Sequence, residues 1–171
     1  MLSGGSMQQT KKNQGFTLIE LMVTVAVMAI IAMMAAPSFG DMLTKQNLKT
    51  TTYNMRDTLK EARSRAMLNR NETVVCTSMN KSAVAVTEAG CGAVLTNYST
   101  TMKESLKKDS VFIVNVEKKV NLKTTSDDSF VFSPRGNLDS SKKITFCSSA
   151  GSYILTVGIS GTVEISQGAA C

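Results

Sequence analysis

Residues 16–36 read FTLIELMVTVAVMAIIAMMAA, an unbroken apolar run of 21 positions with one charge, Glu20. As a helix it is about 30 Å long, the thickness of a bilayer's hydrocarbon core. The pattern changes after Pro37 and Gly40. Leu48, Thr52, Met55, Leu59, Ala62 and Ala66 follow at alternating spacings of four and three, which is one stripe of an amphipathic helix. The helix is expected to resume after a kink at Pro37 and to run to about Asn69, laying that stripe on a sheet. Asn69-Arg70-Asn71 then ends it.

Beyond that point short β-branched and aromatic runs alternate with polar turns. Strands are expected at Thr73–Thr77, Ala83–Thr87, Val111–Val116, Phe130–Phe132, Ile144–Ser148, Tyr153–Val157 and Thr162–Ile165. The turns fall at Glu88-Ala89-Gly90, Thr125–Ser129, Pro134–Asn137, Ala150-Gly151 and Ile159–Gly161. Residues 95–110 read as a loop or a short helix. The fold class is α+β, a long N-terminal helix packed on a mainly antiparallel sheet. The divisions are 1–15, a basic leader; 16–36, a transmembrane helix; 37–70, its amphipathic continuation; and 71–171, a β domain.

Composition adds little until the cysteines. The 171 residues carry a net charge of +6 and no histidine, so the commonest general base and metal ligand is missing. No nucleophile elbow or phosphate loop is present. Catalytic residues, a metal site and a cofactor are therefore not expected. Asp127-Asp128 sit in a turn-like segment and read as solvated carboxylates. Cys76, Cys91, Cys147 and Cys171 contain no close CxxC pair, which argues against zinc. They suit disulfides in an oxidising compartment. Three pairings are open. Cys76–Cys91 with Cys147–Cys171 is the favoured one, the first across a hairpin-like excursion and the second tying residue 171 back to the sheet.

Lys45, Lys49, Arg56, Lys60, Arg63, Arg65 and Arg70 make the second half of the helix basic, against Asp57 and Glu61. A solvated face is the simpler reading, and contact with acidic neighbours or DNA is the other. Lys118, Lys119, Lys142 and Lys143 could form a diffuse basic patch.

The N-terminal boundary carries the most specific signal. QQTKKNQG precedes Phe16 directly, so Lys11 and Lys12 favour a cytoplasmic N-terminus. Cleavage after Ala35-Ala36, as in an ordinary signal peptide, would put Pro37 at the cut. Gly15-Phe16-Thr17-Leu18-Ile19-Glu20 instead resembles the signal of type IV prepilins and type II secretion pseudopilins. The resemblance implies cleavage between Gly15 and Phe16 by a prepilin peptidase and N-methylation of Phe16. It also implies an assembly role for Glu20, whose carboxylate pairs with the terminal amine of a neighbouring subunit. From Met1 the leader is long for this family; a start at Met7 gives nine residues.

Three further segments narrow the resemblance to the GspH/FimT branch, which includes FimU-like minor pilins. They are Glu61-Ala62-Arg63-Ser64-Arg65-Ala66, Phe132-Ser133-Pro134-Arg135-Gly136 and Gly161-Thr162-Val163. The branch's tryptophan-glycine segment is missing, and the chain has no tryptophan. What the resemblance implies is a minor pilin that primes assembly at or near a pilus tip and supports twitching motility, adhesion or DNA uptake. A GspH-like pseudopilin of a type II secretion system is the first alternative. Implied partners are other minor pilins, the major pilin, the prepilin peptidase, the inner-membrane assembly platform and, before assembly, membrane lipid. A DNA-binding competence pilin is the second alternative and is not favoured. DNA-binding members resemble one another in a Gly-Arg-x-Arg segment, and here Gly161-Thr162-Val163-Glu164 lacks both arginines.

Overall fold

The computed structural model describes residues 15–95, 109–169 and 171, without the side chains of residues 34–38. Two compact units are present, Met1–Phe39 and Gly40–Cys171. Helix α1 is assigned over Leu18–Asn69. Pro37 lies within those bounds, but its side chain, and with it the expected kink, falls outside the described residues.

In the second unit α1 lays the expected stripe on the sheets. Leu48, Met55, Leu59, Ala62 and Ala66 are buried with Phe130, Phe132, Ile144, Phe146, Leu155 and Val157 in one core. Thr44 and Thr52 are buried on the same side, and each donates its hydroxyl to the carbonyl four residues back, Gly40 and Leu48 respectively. The helix stops because Arg70 turns left-handed (φ 52°) and Asn71 N–H reaches back to Ala66 O at 3.2 Å.

The described strands are β1 (Thr73–Thr77), β2 (Val111–Val114), β3 (Asn121–Leu122), β4 (Ser129–Phe132), β5 (Lys142–Ser148), β6 (Gly151–Val157) and β7 (Val163–Gly168). They form two sheets rather than one, in orders β2-β1-β4 and β3-β5-β6-β7. The second is antiparallel throughout. In the first, β1 pairs antiparallel with β4 but parallel with β2. Every residue of β1 is buried, as expected of a strand covered on both faces. Val75 faces the α1 core. Val74 and Cys76 face a smaller cluster with Cys91 and Leu95.

Several expected elements are corrected. No strand forms over Ala83–Thr87. Asn80 Oδ1 accepts from Ser82 N–H and Val84 N–H, and Ala83 turns left-handed (φ 57°), so only Ala85 bridges, to Met79. Thr87 then caps a short helix, α2 (Glu88–Gly92), where a turn was expected; its hydroxyl accepts from Gly90 N–H at 3.2 Å. The Cys76–Cys91 bridge therefore joins a strand to a helix, not two strands of a hairpin. β2 ends at Val114 instead of Val116 because Ser78 Oγ takes the Val116 N–H at 3.0 Å and Thr51 Oγ1 takes that of Glu117 at 3.1 Å. β7 runs three residues further than expected, held in register by β6. Of residues 95–110, positions 96–108 lie outside the described residues.

The disulfides are Cys76–Cys91 and Cys147–Cys171. Their surroundings differ. Cys76 and Cys91 are buried, whereas Cys171 is exposed. Timed reduction with thiol quench and mass mapping should open Cys147–Cys171 first. Replacing both Cys76 and Cys91 with alanine should cost about 3 kcal/mol in denaturant unfolding, given the 15-residue separation. Equal reduction rates would contradict the expected difference in shielding.

Candidate functional site

Gly15 and Phe16 precede the helix in non-helical conformation. Nothing lies within 4 Å of where a Gly15 side chain would be, and Phe16 is 79% exposed. The scissile position implied by the resemblance is thus an open peptide beside a helix start. Thr17 caps that start: its hydroxyl accepts from Glu20 N–H at 3.3 Å. The spacing Thr-x-x-Glu is that of a capping box, a signal present in the sequence beside the pilin motif. Glu20 stands in the first turn, where the helix dipole favours an anion. It is exposed and forms no ion pair among the described residues. Lys11 and Lys12 lie outside the described residues.

From Leu18 to Met33 the helix shows apolar side chains on every side, none of them buried within the chain. Among the described residues no helix is long and apolar enough to cross a membrane. The expected run of 16–36 continues into residues 34–36, whose side chains are not described.

The three branch motifs meet at one point in the second unit. Arg63 Nε donates to Gly136 O at 3.1 Å. Gly136 (φ 80°) ends the turn after β4, and Gly161 (φ 77°) ends the turn after β6. A Cβ on Gly161 would stand 2.5 Å from Gly136 O and 2.7 Å from Arg63 Nε; one on Gly136 would stand 2.9 Å from Met67 Sδ. Both glycines are needed for their left-handed backbone and for this close approach. The helix arginine and two turn glycines, 98 positions apart in sequence, form one latch that fixes α1 across the ends of both sheets. The motifs were legible in sequence, but their convergence was not.

The basic residues are largely committed within the chain. Arg56 stacks on Tyr53 (4.7 Å) and holds Asp57 at 2.9 Å. The hydrogen bond to Asp57 raises the Arg56 pKa further, so that guanidinium stays charged. Lys49 Nζ lies 5.8 Å from the centre of the same Tyr53 ring. Arg65 covers the Phe112 ring and pairs with Glu61 at 2.8 Å. Lys118, Lys119, Lys142 and Lys143 do not gather. Lys142 and Lys143 start β5 opposite Val157, while Lys118 and Lys119 sit in the turn before β3, which pairs with Cys147 at the other end of β5. Five strand steps, about 17 Å, separate Lys142 from the Cys147 end of β5. Lys142 Nζ is bonded to Ser129 O at 2.6 Å. Asp127 accepts Lys143 N–H, and Asp128 pairs with Lys81 at 3.5 Å. The described residues hold no group of ligands suited to a metal ion.

The latch makes a test. Gly161→Ala should destabilise the fold by about 2 kcal/mol or more, from left-handed strain and the clash with Gly136 O. Arg63→Ala should lose the bond to Gly136 O, about 1 kcal/mol, and should cost less once Gly161→Ala is present. Chemical denaturation of the single and double variants measures the coupling; additive losses would remove the latch.

Comparison with known proteins gives two family matches. The prokaryotic N-terminal methylation motif covers residues 10–36, and type II transport protein GspH covers residues 52–162. No curated protein matches the chain. Among solved structures, the crystal structure of the type IV minor pilin FimU of Pseudomonas aeruginosa is similar, with 17% identity over 72% of this chain and 92% of that one, and a TM-score of 0.47. The GspH match alone spans more than half of the 171 residues. With an N-terminal methylation motif ahead of a domain built on one helix and two sheets, the chain belongs to the GspH family of pilin-like structural subunits and is not an enzyme.

Proposed function

We propose that this chain is a minor pilin of a type IV pilus. In this reading it is anchored in the inner membrane by residues 16–36, with the β domain in the periplasm. It is cleaved after Gly15, methylated at Phe16 and built into a fibre. The observation that carries the reading is the boundary itself: an open Gly15–Phe16 peptide, then a capped helix apolar on all sides with one carboxylate in its first turn. Such a helix needs lipid or other helices around it. A carboxylate in that setting costs about 2.5–3.5 kcal/mol unless it gains a partner or a proton. The terminal amine that cleavage creates on a neighbouring subunit is a suitable partner. The subunit sits at or near the tip and primes assembly with other minor pilins and the major pilin.

The family match to a type II transport protein favours one second reading, a minor pseudopilin of a secretion system. A deletion strain scored for surface pili and for exoprotein release separates them: loss of pili alone supports the first reading, loss of release alone the second.

Glu20→Ala should be cleaved normally yet be recovered in sheared filaments at a level about tenfold or more below wild type, as expected for loss of a charge pair in an apolar setting. Immunoblots of membranes and sheared fibres measure both. Normal incorporation of that variant would remove the assembly role.

A further inference from the structure

Strand β7 ends its sheet, with β6 on one side and, among the described residues, no strand on the other. Its pairing shows which groups are free. Gly158 N–H bonds to Thr162 O, so that pair is a hydrogen-bonded one. Alternation along the ladder then points the N–H and C=O of Val163, Ile165 and Gln167 away from β6. No other backbone bond engages them among the described residues.

A row of cations runs beside this edge. Lys45, Lys49, Arg56 and Arg63 follow at spacings of four, seven and seven, which keeps them on one flank of α1. The flank meets β7 at both ends. Arg63 packs against Gly161, just before β7. Lys45 and Leu48 line a cavity of about 240 Å³ with Ser152, Tyr153, Gln167 and Gly168, at its end. Lys45 to Arg63 spans about 27 Å of helix, and Gly161 to Gly168 about 24 Å of strand. Strand and flank therefore keep company along their length.

Cations outnumber carboxylates on this side, where Asp41 stands one turn before Lys45. Val163 and Ile165 pack toward the core that contains Leu48 and Leu59, so strand alternation turns Glu164 to the opposite face. Asp57 is held by Arg56, and Glu61 by Arg65 on the other flank. A free strand edge beside a cationic flank suits an extended segment that supplies backbone groups and carboxylates. Nucleic acid would use the cations and leave the backbone groups unpaired. We infer that β7 and this flank of α1 form a docking seat for an acidic, extended strand of another fibre subunit, an inference that rests on the filament reading above.

The test uses the full chain in neutral detergent, with four probes. These are a peptide of alternating threonine and glutamate, the same peptide N-methylated at every second backbone nitrogen, its lysine-for-glutamate counterpart, and oligothymidylate. Amide exchange is read by NMR. The acidic peptide should slow exchange at Val163, Ile165 and Gln167, and the N-methylated and lysine peptides should not. Joint replacement Lys45→Gln and Lys49→Gln should weaken peptide binding about fivefold at low salt. Equal binding by the N-methylated peptide would reduce the effect to charge attraction and overturn strand addition. Binding of oligothymidylate alone would overturn the peptide seat in favour of nucleic acid, and no binding would overturn it outright. If the wild-type chain joins filaments but ignores the peptide, the seat fails and the filament reading stands. A chain that binds the peptide but never joins filaments gives the reverse.

Discussion

Leu48, Met55 and Leu59 are long, Ala62 and Ala66 are short, and that change along one stripe of α1 sets how the β domain is built. The long side chains share one core with Phe146, Leu155 and Val157, each burial contributing about 1.5–3 kcal/mol. The alanines let the last helical turns come close to β1, where Thr73 Oγ1 reaches the carbonyl of Ala62 at 2.9 Å. That approach brings Arg63 within reach of Gly136 O. A larger residue at Ala62 or Ala66 would push the helix off β1 and stretch the latch at the same time. The disulfide at Cys76 sits on the far side of β1, so the strand is clamped between the helix and α2.

Features that depend on local period were legible in the sequence. The helix stripe has a 3.6-residue repeat over many turns, and six of its positions are buried as that repeat implies. β5 and β6 form a hairpin whose partners are close in sequence. Features that depend on distant partners were not legible. The parallel pairing of β1 with β2 joins residues more than thirty apart, and no periodicity marks it. Ala83–Thr87 looks like a strand by composition, but a single asparagine at position 80 spends the local N–H groups on a turn. β3 has two residues, too few to carry a pattern.

The candidate site divides along the same line. Gly15, Phe16 and Glu20 form a contiguous motif, so sequence alone locates them. Thr17 lay inside that motif, and its cap was readable from the Thr-x-x-Glu spacing. Arg63, Gly136 and Gly161 were each visible as fragments of the branch pattern, but only the fold shows that they are parts of one contact. The lysines show the opposite error. Sequence counts charge without asking what each charge already touches. Lys142 caps the carbonyl of Ser129, and the main chain separates it from Lys118 by most of the length of β5.

The same accounting bears on the choice between a DNA receptor and a structural subunit. A phosphate-binding surface needs cations that are free, close together and unopposed. Arg63 is engaged by a backbone carbonyl, Arg65 by Glu61 and an aromatic ring, and Arg56 by Asp57 and Tyr53. These contacts hold the helix surface in a defined shape and leave its charge partly answered. Such a surface is poorly matched to a uniform polyanion, whose phosphates would have to displace the existing partners. It is better matched to a partner that adds backbone hydrogen bonds along β7 and needs only a few carboxylates near Lys45 and Lys49. The geometry of the strand edge, more than the net charge of the chain, sets the partner this domain fits.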